Sequence, residues 1–357
     1  VAGLVWSLGE ALGGFGGPEP EAHAALLAPG DVLDGGYRIV ELVGQGAYGR
    51  VYRAQHPTLE REVAVKLLTD AAGTRRQRFV REGRIVAGLS HPAIGQVFAT
   101  GEHAAHPYLV YELIEGARDL EQAAEGWSRE RRLQALLEVA DGVAHAHAEG
   151  VIHRDLKPSN VIVDGEQRCR VIDFGLAKAE DDAEKLTVSG AMIGTPAYMS
   201  PEAFRSEALG PEADVWSLGV ILYRLLTERL PFDGETLQQL AERIASPLVP
   251  PHELDPTLAE ALSAVCVRAL SREPGDRYPH AGAFAAALRA ALGGATGADG
   301  ASGASPGSGG ATRAGSASGG SPGSGGATRA GGASGRSGRG GATRAGGASG
   351  RPGGDAR

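Results

Sequence analysis

Apolar periodicity changes at Glu115, and that change restricts the fold more than any other feature of the chain. Before it, Tyr37-Arg-Ile-Val-Glu-Leu-Val43 and Arg50-Val-Tyr-Arg-Ala54 alternate apolar with polar residues, the period of a half-buried strand. Glu62 to Leu68, Gly95 to Ala99 and Tyr108 to Leu113 read as three more strands, and Arg75 to Leu89 as one charged helix. After Glu115 the spacing becomes helical: Leu133, Leu136, Leu137, Ala140, Val143, Ala144 and His147 share one face. Asp214 to Leu226 is apolar almost all round, as a helix central to a helical lobe must be. Helices near Thr236–Ile244, Thr257–Leu270 and His280–Leu292 follow, and two short strands, Val161–Val163 and Arg170–Ile172, flank a loop. Strands first and helices afterwards predict an α+β chain in two lobes. The small one is five antiparallel strands with one helix over about 37–115, the larger one helical over about 116–292.

Glycine separates this body from its ends. Of the 55 glycines, 25 crowd into the 65 residues after Leu292, where Gly-Gly-Ala-Thr-Arg-Ala-Gly recurs from Gly309, Gly325 and Gly340 without an aromatic, Val, Ile or Leu. Such a segment buries too little apolar surface to offset its ordering entropy, so 293–357 is predicted to be a disordered tail. Residues 1–29 read as a flexible flank, leaving 30–292 as the folded domain. The chain is −8 overall, while the tail carries seven arginines against two aspartates, so the rest is −13. An acidic body argues against a nucleic-acid surface, which needs clustered cations. In the tail, arginine is sparse and has no interleaved aromatic for base stacking, which favours a spacer or tether. Cys169 and Cys266 stand far apart without metal-ligand spacing, and no apolar run is long enough to span a membrane. A cytoplasmic protein is the expectation.

The chemistry is concentrated in a few segments. Gly44-Gln45-Gly46-Ala47-Tyr48-Gly49 joins two strands, and glycines so spaced let backbone N–H groups approach phosphates that a Cβ would hold off. In so glycine-rich a chain that pattern arises by chance about once, so its context carries the weight: it joins strand to strand, whereas a dinucleotide turn joins strand to helix. Lys66, a lone cation on an apolar strand, requires an anion nearby, and Glu82 on the following helix is its natural orienting partner. Gly83 beside it costs helix stability, about 1 kcal/mol relative to alanine, which suggests a loosely held helix. His145 and His147 stand two apart on a helix, on different faces, and so do not form a metal pair.

His153-Arg154-Asp155-Leu156-Lys157-Pro158-Ser159-Asn160, followed by Asp173-Phe174-Gly175, decides the matter. Its fixed residues would match by chance on the order of once in several hundred such chains. With these motifs in order, the chain resembles the eukaryotic-like (Hanks-type) serine/threonine protein kinases of bacteria. The resemblance implies transfer of the ATP γ-phosphate to protein Ser/Thr hydroxyls, with Mg²⁺, or Mn²⁺ as the alternative. It assigns Asp155 to the acceptor hydroxyl, Lys157 and Thr195 to the γ-phosphate end, and Asn160 and Asp173 to the metal. It further implies a gatekeeper at Tyr111, a hinge at Glu112 and Leu113, and Val51, Ala64 and Ile162 around the base. The frame would rest on Glu202 paired with Arg277, and on Asp214 capping the catalytic loop. Val86, Val97, His153 and Phe174 would stack between the lobes. Arg154 before the aspartate points to regulatory phosphorylation at Thr187 and Ser189. Protein substrates, including its own activation segment, and a homodimer through the small lobe complete the expectation; an ATP-binding pseudokinase scaffold is the alternative.

Overall fold

A computed structural model describes residues 26–46, 49–69, 74–174, 196–234 and 236–298. Ala47, Tyr48, Thr187, Ser189, Thr195 and the repeat tail therefore lie outside the described residues. Strands β1 (Arg38–Gly46), β2 (Gly49–Gln55), β3 (Glu62–Leu68), β4 (Val97–His103) and β5 (His106–Glu112) form one antiparallel sheet in the order β1-β2-β3-β5-β4. Helix α1 (Thr74–Ala87) packs against it. The five expected strands and single helix are all present.

Period-two alternation divides the sheet into two faces. Val63, Val65 and Leu67 join Ile39, Tyr52 and Tyr108 in an outer core. Ala64 and Lys66 turn the other way, and Ala64 meets Val43 and Val51. Gly49 is required by packing: a Cβ there would run into the carbonyl oxygen of Leu67 on β3. Gly83 has a comparable role. It is buried, and an added Cβ would lie 2.5 Å from Leu109 Cδ2, so the missing side chain lets α1 sit close on β5. The expectation of a loosely held helix is corrected on that ground.

The large lobe opens with β6 (Arg118–Asp119), α2 (Leu120–Ala124) and α3 (Arg129–Ala148). Asp119 accepts a hydrogen bond from Gln122 N at 2.7 Å and Ser128 one from Arg131 N at 3.3 Å, capping the two helices. Strands β7 (Val161–Val163) and β8 (Cys169–Val171) join β6 in a three-stranded sheet. Then come α4 (Pro201–Phe204), α5 (Pro211–Thr227), α6 (Leu237–Ala245), α7 (Pro251–Leu254), α8 (Glu260–Ala269) and α9 (Ala281–Ala298). Helix α5 is buried on nearly every side, as its composition requires.

Two boundaries differ from the sequence reading. Leu27 belongs to the small-lobe core, so packed structure begins before residue 30. Helix α9 continues through Ala298, six residues past Leu292 and across Gly293, Gly294 and Gly297, an extension of a helix already nucleated upstream that propensity alone does not favour. The lobes are also joined behind the cleft. Val171 N donates to Ala93 O and Gly95 N to Val171 O, both at 2.8 Å, tying the segment after α1 to β8. Among the described residues no helix is long and apolar enough to cross a membrane.

Candidate active site

Between the lobes lies an open cleft lined by residues of both. Val51 and Ala64 line its roof, and Ile162 with Ile172 its floor. Tyr111, Glu112 and Ile114 form the edge where the lobes connect. Lys66 and Asp173 bring opposite charges to its inner end. Leu113 packs against Val43, Val51 and Ala64. Sequence reasoning missed Val43, Gly95, Ile114, Ala117 and Ile172. For Ile172 a signal existed, since it directly precedes Asp173. Gly44, Gln45 and Gly46 end β1, and Gly46 pairs with Gly49, so the glycine-rich turn joins strand to strand.

Lys66 Nζ lies 2.9 Å from Asp173 Oδ1. Glu82 is on α1, with its side chain outside the described set. Asp173 has φ 57° and Arg154 φ 64°, left-handed conformations that non-glycine residues rarely adopt. Strain of this kind collects where function fixes the backbone. Asn160 Nδ2 donates to Asp155 O at 2.7 Å and to Asp155 Oδ2 at 3.2 Å, while Lys157 Nζ approaches the same Oδ2 at 3.5 Å. One carboxylate is thus held at the cleft between an amide and an ammonium.

Two oxygens here are buried without any hydrogen-bond partner: Asn160 Oδ1 and Asp173 Oδ2. Such orphans are costly unless a ligand completes them. Both are hard donors, of the kind a divalent Mg²⁺-like cation takes few of while its substrate's phosphates supply the rest. Among the described residues no group of three His, Cys, Asp or Glu could hold a metal unaided, which agrees with that division.

The catalytic-loop backbone is clamped from below. Asp214, 1% exposed, accepts His153 N at 2.7 Å and Arg154 N at 2.9 Å. His147 also reaches Asp214, Nε2 to Oδ2 at 2.8 Å, while its Nδ1 accepts Ala281 N at 3.2 Å. The residue set aside as a metal ligand is therefore a strut joining α3, α5 and α9. Its sequence signal was its place on the buried side of α3. His153 Nδ1 accepts Asp155 N at 3.2 Å, which leaves Nε2–H to donate to Ile172 O at 2.9 Å. Its ring packs against Phe174 with centroids 4.7 Å apart. Val86, Val97 and Phe174 lie buried in one cluster. Tyr111 has its hydroxyl enclosed without a partner, although part of its ring faces the cleft. Burial, and then the charge of Asp173, push that phenol well above its usual value.

Burial also drives the His153 imidazole below the ordinary 6.5, against the pull of Asp214. His91, stacked on His145, shifts the same way, first through burial and then through its neighbour's charge. The unfolded chain protonates these rings at a higher pH than the folded one, so stability is complete above about pH 6.5 and falls as pH drops below it. Urea midpoints should be lower at pH 5.5 than at 7.5, and the gap should narrow in His153→Gln. An unchanged gap would assign the pH dependence elsewhere.

The arrangement is thus a small β-sheet lobe over a helical one, with a Lys66–Asp173 pair and an Asp155 carboxylate held by Asn160. The solved kinase domain of Mycobacterium tuberculosis PknI superposes with a TM-score of 0.61 and 28% identity, over 75% of this chain and 100% of that one. The profile of the family described as Protein kinase domain matches residues 37–284, and the chain belongs to that family. It is 36% identical over 283 residues to the serine/threonine-protein kinase Pkn1 of Myxococcus xanthus, covering 77% of this chain and 40% of that protein. With the serine/threonine-protein kinase PknJ of Mycobacterium tuberculosis it shares 38% over 285 residues, 76% of this chain and 48% of that protein. The chain thus spans less than half the length of these curated relatives.

Proposed function

We propose that the chain is an active serine/threonine protein kinase, moving the γ-phosphate of ATP to protein hydroxyls. The observation that carries this is the pair of orphaned oxygens, Asn160 Oδ1 and Asp173 Oδ2, buried beside the Lys66–Asp173 contact and the Asn160–Asp155 clamp. A scaffold that bound Mg-ATP would also use Lys66, Asn160 and Asp173, but it would have no need for the Asp155 carboxylate held by Asn160.

Lys66 holds the α- and β-phosphates, with Glu82 as its orienting partner, and the turn from Gly44 to Gly49 covers them. Val51, Ala64 and Ile162 enclose the base against Tyr111, Glu112 and Leu113. Asn160 and Asp173 hold a divalent cation, Mg²⁺ with Mn²⁺ as the alternative, which when bound offsets phosphate charge. Asp155 accepts a hydrogen bond from the incoming hydroxyl and takes its proton late. Lys157, close to the same carboxylate, meets the γ-phosphate, and Thr195 bridges the two. Lys157 and Thr195 favour Ser/Thr acceptors. Thr187 and Ser189 are the proposed autophosphorylation sites, where a phosphate adds charge and strong acceptors. Val32 and Leu59, exposed on the small lobe, are side chains that a homodimer there would cover. Both cysteines are free and buried, and a cytoplasmic setting is the proposed location. The folded domain is taken to run from about Leu27 to the end of α9, with the repeat tail as a tether.

The test is transfer from Mg-ATP to a mixed protein substrate, followed by phosphoamino-acid analysis. Phosphoserine and phosphothreonine without phosphotyrosine is the expected result. ATP binding with no transfer to any substrate would leave the scaffold reading.

A further inference from the structure

Arg170 lies on β8, outside every motif, yet it links the large lobe to the strand leading to the hinge. Its Nη1 donates to Glu112 Oε2 at 2.6 Å, and its Nη2 lies 3.8 Å from Asp164 Oδ2. The Arg170 side chain is 18% exposed, that of Asp164 8% and that of Glu112 32%, so solvent screens the Arg170 end less than it would a fully exposed pair. Asp164 is itself fixed, accepting Glu166 N, Arg168 N and Arg168 Nε, each at 2.9 Å. One guanidinium therefore ties the last residue of β5 to the β7–β8 hairpin.

That hairpin carries the cleft floor. Ile162 stands opposite Arg170 in the β7–β8 register, and Ile172 and Asp173 follow two and three residues later. Glu112, at the other end of the link, lines the cleft edge, and its backbone N–H is engaged by Gln96 O at 2.9 Å. The Glu112 backbone can then turn only its carbonyl to a bound base, while its side chain is bonded to Arg170, the residue paired with Ile162.

We propose that Arg170 is a positioning residue for the nucleotide, holding the Glu112 edge at the spacing from Ile162 that a purine base needs. This rests on the kinase reading of the cleft. It places the effect on base binding and leaves the phosphate chemistry of Lys66, Asp155 and Asp173 untouched. Losing the link should weaken the nucleotide through its base and not through its phosphates.

The experiment uses the full chain and two readouts. Nucleotide affinity is measured directly with ADP and, separately, with inorganic tripolyphosphate, which has no base. Steady-state transfer gives kcat and KM for ATP. In Arg170→Ala, ADP affinity and KM should worsen about tenfold, equivalent to about 1.4 kcal/mol, while tripolyphosphate affinity and kcat stay within about twofold. Arg170→Lys should recover part of the loss, and so should the exchange Arg170→Glu with Glu112→Arg. An unchanged ADP affinity in a folded Arg170→Ala protein, or equal losses for ADP and tripolyphosphate, would overturn the proposal. Wild-type protein that binds ADP and transfers no phosphate would instead refute the kinase reading, leaving the Arg170 result to stand on the binding data.

Discussion

Asp155→Asn is expected to lower phosphoryl transfer by about 10²–10⁴-fold, the range that a positioned acid–base group supplies, while ADP affinity stays within about twofold. The amide has the carboxylate's shape, and its oxygen can still accept from Asn160 Nδ2, which sits 3.2 Å from Asp155 Oδ2. It cannot accept the proton of the incoming hydroxyl. It also removes the charge facing Lys157 Nζ at 3.5 Å, so that ammonium loses a counter-ion just where the reaction needs it directed. Equal thermal midpoints for the two proteins would establish that folding is not the cause. Transfer by the variant at the wild-type rate would remove Asp155 from the chemistry.

Replacing Arg277 should have the largest effect on stability. Its side chain is fully buried and all five of its N–H donors are used. Nη1 and Nη2 grip Glu202 at 2.7 and 2.8 Å, and the rest go to the carbonyls of Ser271, Glu212 and Arg272. Removing one partner leaves the other charge buried, at about 3–5 kcal/mol, and Arg277→Lys should recover little because an ammonium cannot reproduce the fork. Urea unfolding would measure both losses. Replacing the pair together by Leu and Met should be far milder than either single change. The pair is also acid-sensitive. Burial alone would raise the Glu202 carboxyl, but the Arg277 bonds outweigh it and hold it below its usual value. Its contribution is therefore present above the unfolded carboxyl value and lost as pH falls through the folded one.

The parts of the fold that were legible share a cause. Alternation on β3 and the all-round apolar character of α5 record burial directly, and the residues around Asp155 are dictated by chemistry at fixed spacing. What escaped was set by contacts distant in sequence. Strand β4 runs to His103 and turns back through Ala104 and Ala105 at φ 48° and 66°, a hairpin usually marked by glycine or asparagine. Two alanines gave no such mark. Gly83 read as a weak point because propensity counts only the helix, whereas its reason lies on β5 at Leu109. At the site, Asp155, Asn160, Lys66 and Asp173 could be named from motifs, but Arg170 and His147 could not. Each is an ordinary residue in an ordinary element, given meaning by a partner dozens of positions away.

The strut through His147 bears on when the site comes into being. The backbone at His153 and Arg154 is gripped by Asp214, and Asp214 is braced by His147, whose other ring nitrogen is held by Ala281 at the start of α9. A chain emerging from the ribosome has made the catalytic loop long before it has made the last member of that series. At 5–20 residues per second the interval is roughly 6–25 s, during which the loop lacks its brace. A growing chain would complete the brace under its catalytic loop only once the large lobe is nearly finished.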